Sequence, residues 1–301
     1  MLRRRPLVGL LHNPAVPAVI AAAPSLVECL EVIPDRLWHD LGAAAGRDRF
    51  ILAEEPIALL RRTLGDRPLS GHGLGLSLPS DLPVDEAMLD QVAVLARRLG
   101  FAWYSEHLSV FLTPRGAVPG AQAGLGLPVT CGDELMAVLA PKLARLRAAI
   151  GDVPLAMENA ANFAEVPDAE ESEPAFFSRL HAGGHCDTLL DLHNLHVTER
   201  NGGTPAEAWL AALDPAAVTE IHLAGGDEMG GFYSDSHCGP TPDAVWDLAV
   251  RWAPRFPNLR AIVFEFHETW FPEIGLPGLI AELERMHGLA DACVREVAHA
   301  G

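Results

Sequence analysis

The chain has 301 residues, 49% of them apolar, and a formal net charge of −18. Length and apolar content suffice for one large α/β domain with a sizeable core. The negative charge, with a pI near 5.0, weighs against a nucleic-acid binder, because like charges repel along the whole approach.

From the N-terminus, Met1 to Pro24 has the arginines and alanines of a signal peptide, but His12, Asn13, Pro14 and Pro17 interrupt its apolar run. No stretch is long and apolar enough to span a bilayer. The five cysteines are widely spaced, odd in number and without a CxxC pair, which argues against a zinc knuckle or a disulfide framework. A cytoplasmic protein with reduced thiols is expected.

Apolar runs of strand length recur at Pro6–His12, Leu26–Pro34, Leu69–Leu78, Ala102–Val110, Pro154–Asn159, Asp187–Val197, Val218–Ala224 and Arg260–His267. Helical periodicity separates most of them. Asp85–Leu99 sets Met88, Val92, Leu95 and Leu99 on one face. Thr130-Cys-Gly-Asp133 reads as a cap opening a helix over Glu134–Ile150, which Pro141 should kink or split. Thr241–Trp252 and Pro277–Val297 supply the last two helices. Eight strand–helix units predict a single (β/α)8 barrel domain over residues 1–301, with the Gly/Pro-rich stretch Thr113–Gly126 as a loop on the catalytic face.

The ends of these strands carry the chemistry. His72, His107, Glu158 with Asn159, Asp191 with His193 and Asn194, His222, and Glu265 each close an apolar run, and Asp235-Ser-His237 follows on a Gly-rich loop. Each alone has a plainer reading. A strand-end histidine is more often a hydrogen-bonded core residue, a glutamate can pair with an arginine, and Asp235 can cap a turn. Together they are costly at the edge of a core unless something pairs them. Imidazoles, carboxylates and an amide form a donor set that iron, manganese or zinc accepts, with carboxylate able to bridge two ions. His193 or His196 could orient ligands from behind. Cys238 is read as a bystander. A G-x-S-x-G elbow is missing, and Gly73-Leu-Gly75 is a weak dinucleotide signal.

At these residues the chain resembles the multinuclear non-heme iron-dependent oxidative enzymes, barrel proteins that modify cysteine-containing precursor peptides. The matching stretches are Gly71-His-Gly-Leu-Gly-Leu-Ser77, Ser105-Glu-His-Leu-Ser109, Leu127-Pro-Val-Thr130, Met157-Glu-Asn159, Leu190-Asp-Leu-His-Asn194, Glu220-Ile-His-Leu-Ala-Gly225, Asp235-Ser-His237 and Phe264-Glu265. The resemblance implies His72 and His107 on one iron, with Glu158 bridging to a second held by Asp191, His222 and Glu265. Asn194, Asp235 and His237 resemble a third, more variable site. Two to three irons in a mixed Fe(II)/Fe(III) state, with O2 as co-substrate, would act on a peptide thiolate. The implied partners are a cysteine-bearing precursor peptide and a separate recognition protein. The chain departs from the family at Leu11-His-Asn13, at Ile33-Pro-Asp-Arg-Leu-Trp38 and after Glu265, where Phe-His267-Glu268-Thr-Trp270 stands. The substrate end is therefore expected to differ while the cluster is kept.

A divalent-metal barrel of the endonuclease IV or xylose isomerase kind is the alternative, using metals only as Lewis acids and water activators. The acidic charge counts against a nuclease. The only lysine, Lys142, lies on an expected helix, away from where a sugar isomerase wants one. A metal-free peptide-binding protein is the third reading.

Overall fold

The computed structural model describes residues 4–113, 121–163 and 169–299. Eight parallel strands close into a barrel in chain order: β1 Leu7–Leu11, β2 Cys29–Val32, β3 Leu69–Gly73, β4 Trp103–His107, β5 Leu155–Glu158, β6 Asp187–Asp191, β7 Val218–Ala224 and β8 Ala261–Glu265, with β8 pairing back onto β1. Both faces of each strand are covered, which explains why the runs are nearly continuously apolar.

Alternate positions face two different cores. Val8, Leu10, Leu30, Val32, Ile221, Leu223, Ile262 and Phe264 belong to the large outer core beneath the helices. Leu11, Cys29, Ile33, Trp103, Ala261 and Val263 form a small separate cluster in the lumen. Polar residues share that inner alternation: Glu31, Ser70, His72, Glu220 and His222, all buried.

The helix over Glu86–Leu99 forms as expected, its first turn capped by Asp85, whose Oδ1 accepts from Met88 N–H at 3.2 Å. Three local expectations fail. The helix Asp133–Ile150 has no side-chain cap from Thr130; Glu170 instead accepts the Asp133 N–H at 2.8 Å. Pro141 does not split it, because Leu139, Leu143 and Leu146 are buried to within 1%. Burying each leucine is worth about 2 kcal/mol, which outweighs one missing backbone hydrogen bond of about 1 kcal/mol.

The third failure bears on function. Asp187–Val197 is not one strand: β6 stops at Asp191 and a helix runs from Leu192 to Arg200. Asp191 causes the switch by capping that helix, Oδ1 accepting from Asn194 N–H at 2.7 Å.

The stretch after β4 contributes two antiparallel strands, Val110–Thr113 and Ala121–Leu127. Residues 114–120 lie outside the described residues. Ser77 anchors this ribbon, its Oγ accepting from the Phe111 and Leu112 N–H groups. No helix among the described residues is long and apolar enough to cross a membrane.

Candidate metal centre

The C-terminal ends of β3 to β8 meet around Glu158. Its Oε2 lies 3.2 Å from His72 Nε2 and 2.9 Å from His107 Nε2. Its Oε1 lies 3.8 Å from His222 Nδ1 and accepts from Asn194 Nδ2 at 3.3 Å. His222 Nδ1 is also 3.4 Å from Glu265 Oε2. Donor atoms of His72, His107 and Glu158 fall within 4.8 Å of one another, as do those of Glu158, Asp191, His222 and Glu265. Glu158 is common to both groups.

The surrounding structure aims these groups. Asp191 spends one oxygen on its helix cap and leaves Oδ2 without a partner. Asn159 locks β5 to β6, donating to the Asp191 carbonyl at 2.9 Å and accepting its N–H at 2.8 Å. Gly73 is required beside this site. A Cβ there would stand 2.1 Å from Glu106 Oε1, and its carbonyl is the partner of His107 Nδ1 at 3.0 Å.

Asp235 and His237 sit at the mouth, about a quarter exposed, with His237 Nε2 3.1 Å from Asp235 Oδ1 and 3.6 Å from Glu265 Oε2. His193, on the new helix rather than on the strand, holds Asp235 Oδ1 from behind at 3.0 Å. His237 has φ of +52°. A non-glycine residue held there is strained by about 1–3 kcal/mol, the kind of cost found at binding sites. Asn194 turns its amide nitrogen to Glu158 and leaves Oδ1 without a partner. His196 packs against Tyr233 and His193 rather than facing the cluster.

The fit to a metal follows from atoms that the protein leaves unanswered. Asp191 Oδ2 and Asn194 Oδ1 are buried without any partner, and Glu158 Oε2 and His222 Nδ1 make ion-pair contacts without hydrogen-bond geometry. Native proteins rarely leave so many together. The donors are imidazole nitrogens and carboxylate oxygens, which suit a transition metal.

Charge distribution agrees. Burial alone would raise Glu158, but the rings of His107 and His72 hold its carboxyl well below the usual range. Burial, then the charges of Glu158 and Asp235, push Asp191 well above it. Against its own burial, Glu158 lifts His107 to about 9, and Asp235 lifts His237 to about 10. Both imidazoles are therefore protonated at neutral pH, and a metal must displace those protons. Loading should strengthen as pH rises from 6 to 9, roughly tenfold per pH unit for each proton displaced. Metal titrations at several pH values, with an indicator dye to count released protons, check this. An affinity independent of pH would refute it.

Beneath the cluster lie two acids to which the strand-end pattern assigns no role. Glu31 on β2 and Glu220 on β7 are fully buried in the lumen. Glu31 Oε1 lies 2.9 Å from His222 Nε2, and Glu220 Oε2 accepts from Trp103 Nε1 at 2.7 Å. Burial and the Glu31 charge push the Glu220 carboxyl well above its ordinary range. The available signal was an acid inside an otherwise apolar strand, and Glu220 two places from His222.

A cavity of about 370 Å³ opens above the cluster, walled by Leu11, Ile33, Phe111, Phe163 and Phe266. A larger chamber of about 740 Å³ lies alongside, lined by His12, Pro14, Leu37, Leu59 and Glu268. Arg36 lines both.

A family model described as the RiPP precursor modification enzyme MbnB/TglH/ChrH matches residues 8–291. The chain belongs to this family. The match covers the barrel and every candidate ligand, and the family description makes the chain an enzyme acting on a precursor peptide. Among relatives, a UPF0276 protein of Chromobacterium violaceum is 34% identical over 239 residues, spanning 79% of this chain and 83% of that one. Another, from Anaeromyxobacter sp., is 30% identical over 208 residues, spanning 69% and 71%.

Solved structures resemble the family fold at low identity. Endonuclease IV from Thermus thermophilus aligns with a TM-score of 0.56 at 17% identity, covering 94% of this chain and all of that one. The IOLI protein with a bound zinc atom aligns at 0.56 and 11%, covering 94% and 98%. Both show a shared barrel.

Proposed function

We propose that this protein is a multinuclear non-heme iron-dependent oxygenase that modifies a cysteine in its precursor peptide. The observation that carries the proposal is Glu158, a fully buried carboxylate shared between two groups of metal donors. His72, His107 and Glu158 would hold one iron. Glu158, Asp191, His222 and Glu265 would hold the second, and Asn194, Asp235 and His237 a third. Bound iron supplies one-electron redox chemistry with O2 and a position for the substrate thiolate.

The chain's own residues do the rest. Leu11, Ile33, Phe111 and Phe266 give the space above the donors an apolar wall against which a substrate side chain can pack. The segments that depart from the family, around His12, Arg36 and His267, line this cavity or its neighbour. They support a substrate end particular to this protein. We place the reaction in the cytoplasm, a reading supported by Cys29, Cys131, Cys186 and Cys238, which are buried as free thiols.

Metal analysis of anaerobically purified protein is the test. Two to three irons per chain are expected. Zinc or manganese would instead favour Lewis-acid hydrolysis or isomerisation, and no metal at all would favour a binding protein.

Delivery of the precursor is assigned to a separate recognition protein or a leader segment, because the acidic chain can attract a basic one. Full-length precursor should be processed faster than a short leaderless peptide. That advantage should shrink as ionic strength approaches about 1 M, where the Debye length is about 3 Å. Equal rates for the two substrates at low salt would end this part of the reading.

A further inference from the structure

The three histidines of the cluster are tied to the scaffold in two different ways. Each turns one ring nitrogen toward the shared carboxylates and the other toward a partner behind it. Behind His107 that partner is the Gly73 carbonyl, 3.0 Å from Nδ1. Behind His72 it is the Ser105 hydroxyl, 2.8 Å from Nδ1, which in turn donates to the Gly71 carbonyl. Both acceptors are neutral.

His222 is backed by a carboxylate. Its Nε2 faces Glu31 Oε1 at 2.9 Å while its Nδ1 faces Glu265 and Glu158. The contact is an ion pair without hydrogen-bond geometry, and neither Nε2 nor Glu31 Oε1 has a hydrogen-bond partner elsewhere. Both side chains are fully buried. The other Glu31 oxygen accepts from Ser70 Oγ at 3.2 Å, which fixes the carboxylate from β3. Among the described residues no arginine or lysine pairs with Glu31, so His222 is the group that answers it.

We infer that Glu31 is a positioning residue for the second metal site: it holds the His222 ring from behind, so that Nδ1 is the nitrogen offered to metal. An anionic acceptor on the outer nitrogen raises a ligand's basicity, and loss of such a partner typically weakens metal binding about 10–100-fold. The two halves of the cluster are thus unequal: one has two imidazoles backed by neutral groups, the other one imidazole backed by a charge. This rests on the metal-cluster reading above, though not on the metal being iron.

The test uses the intact metal-free protein titrated with Co(II) alone, followed by visible absorption and calorimetry. Wild type should show two classes of site in the core, besides any weaker binding at Asn194, Asp235 and His237. Glu31→Gln keeps size and an acceptor oxygen but removes the charge, and should weaken one class about 10–100-fold while leaving the other within twofold. Ser105→Ala, behind His72, should weaken the opposite class. Ser70→Ala should give a smaller loss in the same class as Glu31→Gln, and serves if that variant folds poorly. Equal weakening of both classes in Glu31→Gln, or no weakening of either, overturns the role. Wild-type protein that binds no Co(II) overturns the cluster reading itself, and the inference with it.

Discussion

Glu158→Ala should leave the barrel folded and the metal largely gone. Glu158 is the one residue common to both donor groups, with Oε2 against His72 and His107 and Oε1 facing His222 and Asn194. Removing one partner of a buried charge pair costs about 3–5 kcal/mol. A domain of ordinary stability has about 5–15 kcal/mol to lose, so circular dichroism should still show a folded, less stable protein. Metal content should fall below one ion per chain, and turnover by at least a factor on the order of a thousand, since both halves lose a ligand.

Glu158→Gln is the finer probe. It keeps the shape but cannot bridge as a carboxylate, so metal loss in this variant would separate charge from packing. Full metal content and full activity in Glu158→Ala would remove the shared-carboxylate reading.

The second large effect concerns the substrate. O2 consumption should require iron and a cysteine-bearing peptide together, and a serine in place of that cysteine should abolish it. The reason lies in the ligand. A thiol ionises near pH 8.5 and nearer neutrality beside a metal, and its thiolate binds transition metals strongly. A serine hydroxyl offers no comparable anion at neutral pH. An oxygen electrode with mass spectrometry of the peptide reads both parts. Equal turnover of the serine peptide, or full activity under strict anaerobiosis without another oxidant, would defeat the oxygenase and favour a metal hydrolase.

Much of the candidate site is legible because polar residues at strand ends follow a simple rule. His72, Glu158, His222 and Glu265 each close or nearly close an apolar run, and a parallel barrel brings all its strand ends to one mouth. The resemblance to a known family implies two groups sharing Glu158; donors of each fall within 4.8 Å of one another, but so do those of His72, His222 and Glu265 and of Glu31, Glu220 and His222, so proximity alone does not divide them. The segment after Asp191 was misread because Leu-His-Asn-Leu-His-Val is apolar enough for a strand. The decisive contact, Asp191 Oδ1 to the Asn194 N–H, competes locally with strand extension and wins.

By itself the sequence determined the architecture and the donor types. Alternating strand and helix patterns leave few ways to bury eight apolar runs, and residue identity sets which atoms can bind a metal. Tertiary structure decided which atom of each residue faces the cluster and what stands behind it. Glu31 and His222 lie on β2 and β7, on opposite arcs of the closed sheet, and no local pattern relates them. Only barrel closure, with the inward alternation of both strands, carries the buried Glu31 carboxylate to within 2.9 Å of His222 Nε2. Pairing across a lumen depends on register and closure together, and neither is a property of any one segment.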